Sequence, residues 1–295
     1  WSVMDNGGLT YGTGTAEGVS YSTDAAGTVN TVEASDELIG QIDATGWDAS
    51  GRPEEANDTS PATVDTDSGL TLEDLAGADY DDENWQALIE QMKVSELHLL
   101  YQKAGFVTQE VESIDKPKTT DSDGPHGITN FISGYSCFGY PIEEMLASTW
   151  NVDLATRYGE FIGEDGIRSN TQGWYAPAMN IHRTPFSGRN HEYYSEDPIL
   201  SGRMGAATVQ GAMSKGMYCY IKHFAVNDQE TNRSSVCTWA QEQAIREIYL
   251  RPFEITVKDG GATGVMASMN RIGFRQTKGS YALLTETLRN EWGFQ

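Results

Sequence analysis

Apolar positions along the chain fall into two regimes. From residue 1 to about 70, Val29, Val32, Leu38, Ile39 and Ile42 are thinly spread among Gly, Ser, Thr, Asp and Ala, with no firm helical period. The stretch from Asp48 to Gly69, carrying Pro53 and Pro61 among polar residues, reads as a linker or long surface loop. Organised structure is expected from about Asp81. Trp85, Leu88, Ile89 and Met92 recur at helical spacing, and Asp81, Asp82 and Glu83 lie where the helix macrodipole favours acids. A second helix is expected through Leu97 to Tyr101 after Ser95, with Gly105 as its stop.

Beyond residue 140 helical periods alternate with short apolar runs. Asp153 to Arg168 predicts a helix with Leu154, Tyr158, Phe161 and Ile162 on one face. Gly173 to Ile181 follows as a strand-like run, and Asp197-Pro198 opens a helix reaching about Lys215, with Pro198 suited to the first turn. Met217 to Ile221 reads as a short buried strand, Gln241 to Lys258 as a long helix and Gly264 to Met269 as another strand-like run. Tyr281 to Trp292 closes the series as a helix ending at Gly293. This alternation predicts parallel βαβ units and an α/β fold. An open doubly wound sheet and a (β/α)8 barrel both place ligands at strand carboxyl ends, where polar residues cluster after Ile181, Ile221 and Met269. No GxGxxG or GxxxxGK[ST] motif follows a strand, which removes the usual nucleotide readings and favours the barrel.

Charge sharpens the boundary between the regimes. The chain of 295 residues carries 43 acids and 20 bases, a net of −23. Residues 1–90 hold 20 of those acids and a single base, Arg52, whereas residues 91–295 hold 23 acids and 19 bases. The shift marks a compositional boundary near residues 80–90, and its sign is wrong for binding nucleic acid or an anionic membrane. No run approaches 18 uninterrupted apolar residues, so no membrane span is expected. Trp1 opens the sequence with no basic-then-apolar leader after it, so a fragment or processed form is expected and the compartment stays open. Cys137, Cys219 and Cys237 form no CxxC motif and read as free thiols.

Four polar clusters carry candidate chemistry. Asp123-Gly124-Pro125-His126-Gly127 holds an acid and a histidine in a constrained turn, although a solvated turn-capping Asp would explain it too. Asn180 to Pro185, running into Gly188-Arg189-Asn190-His191-Glu192 and Tyr193 to Pro198, packs Arg, His, carboxylates and Tyr into one strand-to-helix connection. The Arg189 guanidinium is a planar fork of donors suited to carboxylates or vicinal hydroxyls, with a structural Arg189–Glu192 network as the competing reading. Lys222 and His223 follow the strand directly, and adjacent strand residues face opposite ways, so at least one is expected in the strand-end crevice. Met266 to Arg271 is the fourth cluster, where core packing competes with a role in the site. Five histidines form no HExxH or other short ligand pair, so a metal site is set aside, and no GxSxG elbow occurs, so a serine nucleophile is unsupported; no cofactor is expected. A pocket of Asp, Arg, Lys, His and aromatic side chains suits a neutral polyol such as a sugar.

These residues resemble family 3 glycoside hydrolases of the β-glucosidase type. The resemblance rests on Asp123-Gly124-Pro125, Ala176 to Arg183, Gly188-Arg189-Asn190 with Tyr193 to Pro198, and Lys222-His223-Phe224 with Asn227-Asp228-Gln229-Glu230. Arg246 to Leu250 with Pro252-Phe253-Glu254, and Val265-Met266, agree with it. It implies an incomplete (β/α)8 TIM-like barrel over residues 76–295, truncated before its last strands. Residues 1–75 are then an acidic, largely irregular linker or the tail of a preceding domain, a partner α/β sandwich domain of the same parent chain is missing, and reversed domain order is one arrangement that fits. A retaining mechanism is implied, which needs two carboxylates roughly 5–5.5 Å apart. The nucleophilic Asp is expected just after Gln295, because in this family it follows the pattern seen here as Trp292-Gly293-Phe294. The acid/base is expected from the other domain. The resemblance assigns Asp123, Arg189, Lys222 and His223, with Met266, to the sugar subsite. Met269 stands where other members carry a tyrosine, and Ala225-Val226-Asn227 departs from the hexosaminidase branch. The expected activity is that of a retaining exo-β-glycosidase, foremost a β-glucosidase acting on oligosaccharide or β-glucoside substrates. β-Xylosidase or another exo-β-glycosidase, and a non-catalytic carbohydrate-binding remnant, are the alternatives.

Overall fold

The computed structural model describes residues 19–23, 29–34, 36–37 and 66–294. Expectations for Leu38, Ile39, Ile42 and the stretch from Asp48 to residue 65 lie outside the described residues. Within the segment expected to be largely irregular, β1 (Val19–Thr23) pairs antiparallel with β2 (Val29–Ala34), with a register shift between Ser22 and Thr23. β1 carries Val19, Tyr21 and Thr23, and β2 carries Val29, Thr31 and Val32, residue types common in strands.

Organised structure then begins earlier than Asp81. Ser68 N–H donates to Gln91 Oε1 at 2.8 Å and Gln91 Nε2 donates to Leu70 O at 2.8 Å. Leu75 is buried in a small core with Leu88, Met92, Val111 and Ile114. The helical period missed this lead-in because residues 66–72 are tied to Glu90, Gln91 and Ile114, more than twenty positions away, and are not held by a repeat of their own. α1 (Asn84–Glu90) and α2 (Val94–Gln102) follow, then β3 (Val107–Thr108), β4 (Thr119–Ser122) and the hairpin β5 (Thr129–Asn130) with β6 (Tyr135–Ser136).

The remaining chain alternates as the pattern predicts. α3 (Glu143–Ala147) and α4 (Val152–Ser169) lead to β7 (Gly173–Trp174), α5 (Pro198–Met213) leads to β8 (Tyr218–Phe224), and β9 (Cys237–Thr238) comes next. Two short helical pieces, Glu242–Ala244 and the wider turn Ile245–Tyr249, run into α6 (Arg251–Lys258) and β10 (Gly264–Ala267). β11 (Arg271–Ile272) and β12 (Arg275–Gln276) precede the wide helix α7 (Ala282–Glu291). The principal sheet has the order β10-β8-β7-β4-β3, parallel from β4 through β10, with β3 antiparallel at the edge. Helices connect the parallel strands, which is the α/β layering that the alternation implies. Among the described residues no helix is long and apolar enough to cross a membrane.

Three details depart from expectation. The buried face of α4 is Ala155, Tyr158, Gly159, Ile162, Gly163 and Gly166, while Leu154 and Phe161 are exposed. Glycine decides this. A Cβ on Gly159 would lie 2.1 Å from Thr208 O, and one on Gly211 would lie 2.0 Å from Thr156 O, so the α4 and α5 backbones meet where larger side chains cannot fit. The run from Gly173 keeps continuous ladder pairing only to Trp174; Ala178 then forms an isolated parallel bridge with Lys222, and Met179 N–H bonds Lys222 O at 2.8 Å, so the segment still tracks β8. Finally, β8 does not stop at Ile221 but continues to Phe224, drawing Lys222 and His223 into the strand.

Candidate active site

Lys222 is the centre of the polar cluster, and its ammonium is almost completely buried at 2% exposure. A buried cation requires paired counter-charges. Nζ lies 2.8 Å from Asp123 Oδ1 and 3.4 Å from Glu192 Oε2. Asp123 is delivered by the turn after β4. Its N–H bonds Thr129 O at 3.0 Å and its carbonyl takes Thr129 N–H at 2.8 Å, while Oδ1 also accepts the Gly124 N–H at 2.8 Å. Gly124 adopts φ +108°, and a Cβ there would stand 2.0 Å from Gly127 O, so this turn needs glycine.

Glu192 comes from the short turn Asn190–Glu192 between β7 and α5. Its Oε1 accepts from Arg189 Nε, Arg189 also lies 3.7 Å from Glu230, and Glu230 in turn pairs with Arg233 at 2.7 Å. The result is a chain of alternating charge: Asp123, Lys222, Glu192, Arg189, Glu230, Arg233. Burial by itself would raise the Glu192 carboxyl, but Arg189 and Lys222 outweigh it and hold the group below the usual range. The Arg189–Glu192 network is therefore continuous with the Lys222–Asp123 pair.

His223 uses a different partner set. Its N–H donates to Asn180 Oδ1 at 2.8 Å, Asn180 Nδ2 returns a bond to His223 O at 2.9 Å, and Nδ1 lies 3.3 Å from the Tyr193 hydroxyl. Burial, then the positive charges of Arg189, Lys222 and Arg233, push the imidazole well below its ordinary pKa, so it is neutral at pH 7. Met266 is half-buried and stands in register opposite Lys222 on β10; it joins the site as a backbone neighbour without charge. The structure thus pairs Lys222 with Asp123, joins it to Arg189 through Glu192, and sets His223 next to Lys222 on β8.

Several groups here had little sequence signal. Glu143 is completely buried, with Oε1 3.4 Å from Ala178 N and Oε2 lacking a donor among the described residues. Burial, reinforced by Glu192, drives its carboxyl well above the usual range. No motif in the sequence singles it out. Asp228 is also buried, accepts Ile181 N–H at 3.2 Å, and is pushed up to about 7 by that burial. Asn180, Tyr193 and Asp228 were within the dense motifs, but their packing against His223 and Ile181 depends on segments 30 or more positions apart. Among the described residues no group of three or more His, Cys, Asp or Glu is arranged to hold a metal ion.

Residues 88–295 match the glycosyl hydrolase family 3 N-terminal domain. The chain belongs to glycosyl hydrolase family 3. It is 42% identical over 180 residues to beta-glucosidase A of Butyrivibrio fibrisolvens, covering 61% of this chain and 22% of that protein. Against a beta-glucosidase of Ruminococcus albus it is 40% identical over 190 residues, covering 64% and 20%. This family 3 chain therefore spans about a fifth of the length of those curated relatives. Among solved structures it resembles beta-glucosidase 3B from Thermotoga neapolitana in complex with glucose, at 43% identity and TM-score 0.60 over 64% of this chain and 27% of that one. A beta-glucosidase from Paenibacillus barengoltzii matches at 30% identity and TM-score 0.69, over 94% and 30%.

Proposed function

We propose that this family 3 chain holds the terminal sugar for a retaining exo-β-glycosidase, specifically a β-glucosidase. On this reading residues 76–295 form an incomplete (β/α)8 TIM-like barrel, and residues 1–75 are an acidic linker or the tail of a preceding domain. The observation that carries the proposal is the buried Lys222 ammonium, clamped between Asp123 and Glu192 at the carboxyl ends of parallel strands. Ligand sites in α/β folds form at those ends.

The chemistry follows from the geometry. Asp123 spends Oδ1 on Lys222 and Gly124 and keeps Oδ2 without a protein partner among the described residues, with 43% of its side chain exposed. That oxygen is available to two sugar hydroxyls. Lys222 donates beside it, Arg189 is held as an oriented fork by Glu192, and neutral His223 offers an uncharged ring nitrogen. None of these groups needs a metal to bind a polyol. Retention requires a nucleophile and an acid/base; the reading takes the nucleophilic Asp from residues following Gln295 and the acid/base from the partner sandwich domain.

The test uses the full-length protein with aryl β-D-glucoside, β-D-xyloside and N-acetyl-β-D-glucosaminide, and follows the anomer first released by NMR. Preferred turnover of the glucoside with β-glucose released first supports the proposal. Preference for the xyloside replaces β-glucosidase by β-xylosidase. No turnover of any of the three, or release of the α-anomer, overturns it.

A further inference from the structure

A second carboxyl group lies one strand repeat below the site. Asp121, in β4, is 3% exposed. Its Oδ1 accepts from the Tyr218 hydroxyl at 2.7 Å, and its Oδ2 from Tyr220 at 3.2 Å and Tyr175 at 3.5 Å. The network continues outward. Tyr218 shares a 2.8 Å bond with Thr119, Thr119 one of 2.5 Å with Thr108, and Thr108 accepts from Lys116 Nζ at 2.9 Å. The Tyr175 hydroxyl also accepts the Phe106 N–H at 2.8 Å.

Register explains how these groups meet. β7 stands between β4 and β8, and Asp121 pairs with Gly173, which pairs with Tyr218. Asp121 and Tyr218 therefore touch only by reaching across a residue without a side chain. A Cβ on Gly173 would lie 2.2 Å from Asp121 Oδ1 and 2.5 Å from Tyr218 Cε2. The Gly173 backbone is not left-handed, so the glycine is required by this contact and not by its own conformation. Strand alternation puts Asp121 and Asp123 on one side of the β4 line, and Tyr218, Tyr220 and Lys222 on one side of β8. The Asp121–tyrosine contacts therefore run parallel to the 2.8 Å Asp123–Lys222 contact, one repeat beneath it.

We propose that Asp121 is a positioning residue for the sugar site: by clamping Tyr218 and Tyr220 across Gly173 it fixes the height of β4 against β8, and with it the Asp123–Lys222 pair. This rests on the sugar-site reading above. Packing alone does not call for such an arrangement, since a buried carboxyl needs all its donors in place whereas apolar side chains would fill the same space without that requirement.

The experiment compares the full-length wild type with Asp121→Asn, Gly173→Ala and the isosteric double variant Tyr218→Phe/Tyr220→Phe. One readout is kcat and KM on an aryl β-glucoside, per active site titrated with a covalent inhibitor. The other needs no turnover: the rate at which an amine-reactive anhydride labels Lys222, read by peptide mass spectrometry against Lys215 and Lys258. The double variant should lose about tenfold in kcat/KM, mainly in kcat, as expected for a small displacement of site groups. Its Lys222 should label several-fold faster while Lys215 and Lys258 label at the wild-type rate. The tyrosine pair decides even where Asp121→Asn or Gly173→Ala fails to fold. Unchanged Lys222 labelling in the double variant overturns the proposal, whatever the kinetics. A wild type inert on every glycoside would remove the sugar reading alone, and the labelling would still decide whether Asp121 positions Lys222.

Discussion

Replacing Asp123 by alanine tests the site most directly, because stability and activity should respond to different degrees. Lys222 loses its nearer partner at 2.8 Å but keeps Glu192 at 3.4 Å. At an effective dielectric of about 20 the gross attractions are ~6 and ~5 kcal/mol, so nearly half of the attraction survives. The Asp123 side chain is 43% exposed, so the lost pair is partly screened and the net stability cost should be near 1 kcal/mol. Activity should suffer more. On the proposed sugar-site reading the variant removes the acceptor for two sugar hydroxyls, and hydrogen bonds to a charged group contribute about 1.5–3 kcal/mol each. These contacts strengthen toward the oxocarbenium-like transition state, so kcat should fall while KM rises. A loss of about 2.7 kcal/mol corresponds to roughly a hundredfold in kcat/KM. Asp123→Asn retains an acceptor without the charge and should lose about tenfold. The assay is kcat/KM on an aryl β-glucoside per titrated active site, beside a melting curve. Wild-type kcat/KM with a lowered melting temperature would refute the reasoning and leave Asp123 as a structural partner of Lys222 and Gly124.

Further outcomes follow from the same geometry. Gly159→Ala should cost about 3 kcal/mol or more in chemical denaturation, because its Cβ would meet Thr208 O at 2.1 Å and Ala212 N at 2.8 Å, both backbone atoms; a wild-type midpoint would show that the helices separate without cost. The Asp228 carboxyl is raised by burial to about 7, so between pH 4 and 7 the folded protein holds a proton that the unfolded chain has released. Stability must therefore fall as pH rises through that window, by up to about 4 kcal/mol, and Asp228→Asn should lack that component. A variant-minus-wild-type melting difference that stays flat from pH 4 to 8 would contradict this. Lys222→Met should abolish detectable β-glucoside turnover while the protein stays folded, since Glu192 retains Arg189; folded Lys222→Met with residual kcat/KM within tenfold of wild type would count against a binding role for the ammonium.

What the chain determines by itself is its local structure. α4 spans Val152–Ser169 and α5 Pro198–Met213, close to the expected 153–168 and 198–215, because their signals are local. Asn151 caps α4 through Leu154 N, and Asp197 caps α5 through Ile199 and Leu200, with Pro198 in the first turn. The parallel α/β alternation was legible for the same reason, as were the dense motifs around Asp123, Arg189 and Lys222-His223, whose composition is unusual on any surface. The tertiary structure decided what those motifs touch. Asp123 and Lys222 lie 99 positions apart, as do Asp121 and Tyr220, so neither pairing leaves a periodic trace. Leu154 and Phe161 looked like the core face of α4, yet glycines on α4 and α5 let two backbones meet and turned the larger residues outward. Glu143 stands in no motif of the sequence, and only the segments folded over it make it a buried acid. A capping bond or a helical period is settled within about four residues, whereas burial and charge pairing are set by whichever distant strand arrives alongside.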